Sequence, residues 1–217
     1  MNVEIINTWE YQYVGIKKNN LFSPLTAAYL AALLPSDVNV TIRHELVQQV
    51  DYEIDVDLVA ITFMIGNAPH TYKIADRFRK RGTPVILGGF HATFLPEEAL
   101  RHADAVVVGE AEYVFPEIIK DLKRNSLKRI YKATKLHSLK GLPVPRYDLI
   151  EKDFILNHPV QATRGCPYRC SFCSVTSLYP SLRVRPVDEV MRDITCFEGR
   201  NYLQNKMFMF MDNNLIS

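Results

Sequence analysis

The feature that most constrains the fold is a regular alternation of short apolar runs with helix-like segments. The runs are rich in β-branched residues and read "VEIIN", "VNVTIR", "DLVAITFM", "PVILGG" and "ADAVVVGEAE". Continuous runs of this kind are typical of strands buried on both faces of a parallel sheet. Alternating strands and helices place helices on both faces of such a sheet. The sequence therefore predicts an α/β fold built on five parallel strands.

We expect these strands to have the flavodoxin-like (Rossmann-type) order 2-1-3-4-5, with ligands bound at the carboxyl ends of the strands. The loops at those ends contain Thr8, Thr62, Gly88, Gly89, His91, Gly109 and Glu110. A glycine pair lets a ligand approach the backbone closely, although a turn that simply requires glycine explains the pair equally well. No P-loop and no G-x-G-x-x-G motif accompanies it.

We assign residues 1–135 to this α/β domain, residues 136–158 to a connector and residues 159–217 to a second region. The connector contains two prolines and a glycine with weak periodicity, which predicts an ordered link between domains. The second region begins with the strand "HPVQATRG"; a cysteine motif follows, then a helix over residues 187–197 and the strand "KMFMFMD". One strand–helix–strand unit is therefore expected there.

The second region carries three of the four cysteines of the chain within one short stretch, "RGCPYRCSFC". Cys166, Cys170 and Cys173 have the spacing C-x3-C-x2-C, and no cysteine precedes them. Three thiolates on one loop can hold three irons of a cubane cluster and leave the fourth iron open. Gly165 allows the backbone to turn sharply, and Pro167 stiffens the loop. The spacing therefore favours an iron–sulfur cluster.

Zinc binding and disulfide formation are the alternatives for these thiols. A structural zinc site needs a fourth ligand, and Cys196 is the remaining cysteine, but its helical position beside Ile194 and Phe197 predicts a core side chain. The amino terminus lacks the pattern of a signal peptide, so we expect a cytoplasmic protein with reduced thiols. A disulfide is disfavoured for that reason.

Composition and charge narrow the classes of partner. The chain has 217 residues, 47% of them hydrophobic and 23% charged, and its formal net charge is +2. A net charge this small gives no strong attraction to nucleic acid or to an anionic membrane. No apolar run approaches the length of a membrane-spanning helix. We therefore expect a globular protein with a small-molecule substrate, no nucleic-acid partner and no transmembrane segment.

The motif "RGCPYRCSFC", placed after a strand and followed by a helix and a strand ending "FMFMDNN", closely resembles the radical SAM superfamily over residues 159–217. In that superfamily three such cysteines bind a [4Fe–4S] cluster whose open iron chelates S-adenosyl-L-methionine (SAM), and one electron then releases a 5′-deoxyadenosyl radical. The resemblance implies that the cluster ligands are Cys166, Cys170 and Cys173. It also implies that Phe172 lies against the adenine and that Asp212 faces the SAM site. Loop packing for Phe172 and a solvated strand end for Asp212 are the alternatives.

The stretches "LGGFHATFLPEEAL" and "DAVVVGEAE", upstream of the cysteine motif, resemble the cobalamin-binding (B12-binding) class of radical SAM proteins. Members include the anaerobic magnesium-protoporphyrin ester cyclase and radical SAM C-methyltransferases. The resemblance implies that the first domain binds cobalamin through the loop residues named above, Thr8, Thr62, Gly88, Gly89, His91, Gly109 and Glu110.

One motif of other cobalamin domains is missing. Domains of the methionine synthase type ligate cobalt with the histidine of D-x-H-x-x-G, and "TWEYQYVGIKKNN" after the first strand does not contain it. We therefore expect that cobalamin, if bound, receives no histidine ligand from that loop. His91 lies in a different loop and is assigned to the nucleotide tail of cobalamin, with a capping or surface role as the alternative.

Three functions fit these features. The first is a cobalamin-dependent radical SAM enzyme that takes an electron from an external donor and methylates, cyclises or oxidises an unactivated carbon. The second, a methylthiotransferase, is nearly excluded because such enzymes bind a second cluster through three cysteines of the first domain, which has none here. The third is a truncated, non-catalytic protein that binds cobalamin or a cluster. One strand–helix unit falls short of the family's barrel, so we expect either a longer full chain or an inactive copy. The sequence identifies neither the substrate nor a catalytic residue.

Overall fold

The computed structural model describes residues 1–9, 23–133, 136, 138–151, 158–198 and 202–215. At its centre are the strands β1 (Asn2–Asn7), β2 (Asn39–His44), β3 (Leu58–Thr62), β4 (Val85–Gly88), β5 (Ala105–Val108) and β6 (Ile130–Lys132). They form one six-stranded sheet in the order β2-β1-β3-β4-β5-β6, and every neighbouring pair is parallel. The predicted flavodoxin-like α/β fold is confirmed.

The sixth strand is the element of this sheet that the sequence did not predict. β6 has three residues, and its middle residue, Tyr131, is buried between exposed Ile130 and exposed Lys132. One buried side chain is too few to produce a recognisable alternating pattern. β6 nevertheless pairs in parallel with β5 and extends the sheet at that edge.

Helices cover both faces of the sheet. They are α1 (Leu25–Ala32), α2 (Ala68–Lys80), α3 (Phe90–Phe94), α4 (Pro96–Ala99) and α5 (Phe115–Lys123). Neighbouring residues of a strand point to opposite faces, so Ile5 packs into a core with α1 and α5 while Ile6 packs into a core with α2. Both isoleucines are completely buried, and burial of each contributes about 1.5–3 kcal/mol to stability.

The second region is built from short elements. They are β7 (Pro159–Val160), β8 (Thr163–Arg164), α6 (Val175–Leu178), β9 (Arg183–Val184), α7 (Val187–Thr195), α8 (Tyr202–Lys206) and β10 (Met209–Phe210). β7 and β10 are parallel and α7 lies between them in the chain, which gives the expected strand–helix–strand unit. β8 and β9 form an antiparallel pair that the sequence did not predict. This pair encloses residues 165–182, here called the cysteine segment.

The described part of the connector is ordered and packs on the first domain. Leu139, Leu142 and Ile150 belong to the same core as α1 and α5. The backbone N–H of Arg146 donates to the carbonyl oxygen of Ala28 on α1 at 3.1 Å. The connector therefore lies against the sheet domain in the described part. Among the helices of the described ranges, none has the length and apolar character needed to cross a membrane.

A buried polar network joins α1 of the first domain to α7 of the second region. The Arg185 guanidinium donates to the Tyr29 hydroxyl (2.6 Å) and to the Asp193 carboxylate (2.7 Å), and Tyr29 donates to Asp193 (3.2 Å). The side chains of Arg185 and Asp193 have no solvent exposure. Because buried charges are costly unless they are paired, this network fixes how the second region meets the sheet domain.

Candidate functional site

A cleft of about 350 Å³, here called the sheet-edge cleft, lies at the carboxyl ends of β1, β3, β4 and β5. Parallel sheets bind their ligands at this edge. Six of the seven residues predicted there line the cleft, namely Thr8, Thr62, Gly88, Gly89, Gly109 and Glu110. The second region contributes Gln161, Arg164, Leu178 and Tyr179. The structure thus brings the loops of the sheet together with residues in and beside the cysteine segment.

The three glycines of the cleft differ in whether the backbone conformation or the packing around them requires glycine. Gly89 has a φ of 99°, and a Cβ atom there would lie 2.7 Å from the carbonyl oxygen of Phe63. Close backbone packing therefore requires glycine at 89 whether or not a ligand binds. Gly109 has a φ of 86°, which favours glycine. A Cβ atom at Gly88 would make only an ordinary contact at 3.6 Å, so the fold alone does not explain the missing side chain at 88.

Threonine hydroxyls hold the loops on the sheet side of the cleft. The Thr8 hydroxyl lies 2.7 Å from the hydroxyl of Thr71 on α2. Thr93, which the sequence reasoning missed, also lines the cleft. Its hydroxyl donates to the Gly89 carbonyl oxygen (2.8 Å) and accepts from the Gly109 N–H (3.1 Å). Thr93 therefore ties the loops after β4 and β5 together, and its spacing of four residues from Gly89 was the available signal.

His91 is the predicted residue that the structure does not bring into the cleft. It is the second residue of α3, and its side chain is buried. Its Nε2 atom lies 3.0 Å from the Tyr72 hydroxyl and 3.2 Å from the Glu98 carboxylate. Hydrogen bonds from His91 and Tyr72 lower the pKa of the Glu98 carboxyl. His91 therefore contacts α2 and α4, and its contact with a nucleotide tail stays a prediction.

A different histidine, His44 at the end of β2, lines the cleft and was not singled out from the sequence. Its Nδ1 atom accepts from the Leu46 N–H (3.3 Å), and its ring lies 6.3 Å from that of Trp9, which also lines the cleft. Burial lowers the pKa of His44 to about 4, so its imidazole is neutral at neutral pH. The alternating pattern of β2 located the strand but did not show that its last side chain reaches the cleft.

The three motif cysteines lie in the cysteine segment with free thiols. Cys166 and Cys173 are half-buried and Cys170 is exposed. The N–H of Cys173 donates to the carbonyl oxygen of Cys170 (3.0 Å), which forms a turn between them. Gly165 has a φ of 95°, and a Cβ atom there would clash with the carbonyl oxygen of Ser181. The backbone therefore turns sharply before Cys166 and passes close to the other end of the segment.

The chemistry of this donor set fits an iron–sulfur cluster. Soft thiolate ligands select iron–sulfur clusters, zinc and copper(I) over harder cations. Within the described ranges, no three His, Cys, Asp or Glu side chains stand close enough together to hold a metal ion. The three sulfurs thus share one segment without converging on one point. Metal binding would accordingly close the segment around the metal, as is common where binding and folding are coupled.

Cys196 does not lie in the core, contrary to the prediction from its helical spacing. α7 ends at Thr195, so Cys196 follows the helix and is exposed. Its thiol donates to the carbonyl oxygen of Asp193 (3.3 Å). In the part of the chain that the structure describes, Cys196 is not assembled with the motif cysteines into a four-ligand zinc site.

Phe172 and Asp212 differ in their surroundings. Phe172 is 90% exposed, so it does not pack within the loop. Asp212 follows β10, and its carboxylate accepts hydrogen bonds from the backbone N–H groups of Ala162 (3.1 Å) and Thr163. Asp212 is therefore not a solvated strand end, because it holds the turn that leads into β8.

Glu110 belongs to a buried group of ion pairs that the sequence did not predict. Its carboxylate lies 3.0 Å from the Arg183 guanidinium and 3.5 Å from that of Arg164, and Glu112 lies 2.6 Å from Arg164. Burial acts to lower the pKa of Arg164, but the carboxylates of Glu112 and Glu110 outweigh it and raise that pKa. These four residues are here called the Glu110 cluster. Its partners are far apart in sequence, 73 residues for Glu110 and Arg183, so no local pattern signals it.

Comparison with known proteins identifies the first domain. A model of the B12 binding domain family matches residues 11–119. Bacteriochlorophyllide d C-8(2)-methyltransferase of Chlorobaculum tepidum is 35% identical over 182 residues, which cover 77% of this chain and 40% of that protein. Anaerobic magnesium-protoporphyrin IX monomethyl ester cyclase of Cereibacter sphaeroides is 30% identical over 183 residues, which cover 70% of this chain and 30% of that protein.

A third relative is the hopanoid C-2 methylase of Rhodopseudomonas palustris. It is 26% identical over 199 residues, which cover 86% of this chain and 36% of that protein. The chain thus spans 40% or less of the length of these three relatives. The predicted relationship to B12-binding proteins, to methyltransferases and to the ester cyclase is confirmed. The chain belongs to the B12-binding domain family.

Proposed function

We propose that this chain is the cofactor-binding part of a cobalamin-dependent radical SAM enzyme that methylates an unactivated carbon, with cyclisation or oxidation as related outcomes. One observation carries the proposal: Arg164 and Tyr179, beside and within the cysteine segment, line the same cleft as Thr62 and Gly88 of the sheet domain. The names of two relatives support methyl transfer, and the name of the cyclase supports ring closure.

In this proposal Cys166, Cys170 and Cys173 hold a [4Fe–4S] cluster through three of its irons. When bound, the cluster supplies the open iron that holds SAM and the electron that cleaves it. Phe172, exposed beside Cys173, offers its ring to the adenine. Asp212 supports the SAM site by holding the turn before the cysteines through its backbone hydrogen bonds.

The sheet-edge cleft holds cobalamin in this proposal, and cobalamin when bound supplies the carrier of the methyl group. The lining of the cleft is mostly apolar, as in many cofactor sites. Gly88 fits a close approach of the ligand because the fold does not require glycine there. The other proposed contacts are Thr8, Thr62, Gly89, His91, Gly109 and Glu110.

The proposed division of the chain follows from these sites. Residues 1–135 bind cobalamin, residues 136–158 connect, and residues 159–217 begin the radical SAM barrel. The substrate is a small molecule, and the electron comes from an external donor. The free thiols suit a reducing compartment such as the cytoplasm.

Anaerobic reconstitution with iron, sulfide and hydroxocobalamin tests this proposal. Cys166→Ala, Cys170→Ala and Cys173→Ala are compared with Cys196→Ala, which removes a thiol outside the cysteine segment. We expect each motif substitution to remove most of the bound iron, because three thiolates hold the cubane. Cys196→Ala should retain as much iron as the unsubstituted protein.

Metal analysis measures iron and zinc, and absorption spectroscopy after gel filtration measures bound corrinoid. Equal iron in all four variants, or zinc in place of iron, would contradict the cluster. Iron without corrinoid would contradict cobalamin binding while leaving the cluster intact. Release of 5′-deoxyadenosine from SAM by the full-length protein separates the enzyme from a non-catalytic binding protein.

A further inference from the structure

The Glu110 cluster joins the end of β5 to both ends of the cysteine segment. Arg164 is the last residue of β8, directly before Gly165, and Arg183 is the first residue of β9. Glu110 lies just after β5. Its one carboxylate therefore contacts an arginine on each side of the segment, at 3.5 Å for Arg164 and 3.0 Å for Arg183.

The cluster is buried and its charges balance. Two carboxylates face two guanidiniums, and none of the four side chains is more than 13% exposed. The ring of Tyr179, from within the cysteine segment, lies 6.0 Å from the Arg164 guanidinium and 5.8 Å from that of Arg183. Removing one partner leaves an uncompensated buried charge. The loss of stability is therefore much larger than the loss that follows when an exposed ion pair is broken.

Apolar burial gives the cysteine segment little support of its own. β8 and β9 have two residues each, paired as Thr163 with Val184 and Arg164 with Arg183. The helix within the segment, α6, has four residues and none of them is buried. The Glu110 cluster therefore supplies charged contacts to the sheet domain at the points where the hydrophobic contacts are few.

We propose that Glu110 is a positioning residue that contacts both Arg164 and Arg183, holds the two ends of the cysteine segment together and keeps the segment, whose Tyr179 lines the sheet-edge cleft, against the sheet domain. Its meaning for catalysis rests on the proposed function, whereas its geometric role does not. Because Cys166 follows Arg164 by two residues, loss of the Glu110 contacts loosens the backbone that carries the first thiol, although Glu112 still holds Arg164.

Alkylation of the metal-free protein measures this role. Glu110→Gln removes the charge with little change of shape. Glu117→Gln is the matched control, because the partner of Glu117 is the exposed Lys128. Mass spectrometry gives the alkylation rate of Cys166 divided by that of Cys196 in the same molecule. We expect Glu110→Gln to raise this ratio about fivefold, since local opening exposes a half-buried thiol, and Glu117→Gln to leave it unchanged.

Glutamine beside two buried arginines also destabilises the fold, so a second variant separates the two effects. Glu110→Gln combined with Arg183→Gln restores the charge balance, because Glu112 and Arg164 remain, but it does not restore the link across the segment. The double variant should therefore fold, as measured by circular dichroism, and should still show the raised ratio. A folded double variant with the ratio of the unsubstituted protein would overturn the proposal.

Iron uptake distinguishes this inference from the proposed function. If the unsubstituted protein binds iron, and Glu110→Gln binds as much of it with an unchanged alkylation ratio, the positioning role is wrong and the proposed function stands. If the unsubstituted protein binds no iron, the proposed function is wrong. The alkylation ratio then still decides whether Glu110 positions the segment.

Discussion

The sheet edge and the cysteine segment face each other across one cleft, yet different forces hold them. The sheet rests on completely buried side chains such as Ile5, Leu58 and Leu87. The cysteine segment is enclosed by two strands of two residues each, and it exposes Phe172 and Cys170. Apolar burial thus forms the first surface without a ligand, whereas the second depends on polar contacts and, in our proposal, on metal.

Removing a core side chain beneath the sheet should have the largest effect on stability. Phe78 of α2 is completely buried, so Phe78→Ala should lower the free energy of unfolding by about 3–5 kcal/mol through lost burial and a cavity. Phe172→Ala, the matched change in the cysteine segment, should alter it by less than about 0.5 kcal/mol because the ring is 90% exposed. Urea denaturation followed by circular dichroism measures both values. Equal losses would contradict the contrast between the two regions.

Acid should weaken the sheet edge through His44. Burial lowers the pKa of His44 to about 4, from 6.5. Between these values the unfolded chain binds a proton at His44 and the folded chain does not, so its contribution to stability is complete above pH 6.5 and falls as the pH drops towards 4. The expected loss in the free energy of unfolding across that interval is roughly 3 kcal/mol.

The His44 prediction is measured by urea denaturation at successive pH values through this interval. His44→Gln replaces the imidazole with a side chain that does not titrate, so its stability should fall less steeply with acid than that of the unsubstituted protein. Parallel profiles for the two proteins would show that another group is responsible. Burial also lowers the pKa of His158, which lies just before β7, so the difference between the two profiles, and not the slope of either one, measures the contribution of the sheet edge.

Two glycines with positive φ, one in the cleft and one outside it, test why glycine is needed at 89. Gly89 has a φ of 99° and packs against the backbone of Phe63, whereas Gly82 has a φ of 83° with no atom within 4 Å of a Cβ position. Gly89→Ala should therefore lower the free energy of unfolding by about 2–3 kcal/mol, and Gly82→Ala by about 1 kcal/mol. Thermal and urea denaturation measure both. A Gly89→Ala variant as stable as Gly82→Ala would favour a ligand, not the fold, as the reason for glycine at 89.

The features that were predicted correctly from the sequence are those that depend on neighbouring residues in the chain. The β-branched runs located five strands, and parallel geometry then placed the loop residues at one edge, where six of them line the cleft. The exception, His91, follows from a detail of local structure. α3 begins at Phe90, so the ring of His91 contacts Tyr72 and Glu98 away from the cleft.

Contacts between distant parts of the chain were beyond the reach of local patterns. The Glu110 cluster forms only when β5, β8 and β9 are assembled, so no single segment of the sequence signals it. The strand β6 has one buried residue, which is too few to give an alternating pattern. Cys196 illustrates the uncertainty of helix ends, because a helix two residues shorter than predicted moves this side chain from the core to the surface. A network such as Tyr29, Arg185 and Asp193 is likewise visible only in three dimensions.

The carboxylate of Asp212 connects the end of β10 to the backbone that leads to the first thiol, Cys166. It accepts hydrogen bonds from the backbone N–H groups of Ala162 and Thr163, which lie four and three residues before Cys166. A displacement of β10 is therefore transmitted through these hydrogen bonds to the backbone just before the cysteine segment. A partner that displaces β10 would in this way shift Cys166 without contacting its sulfur.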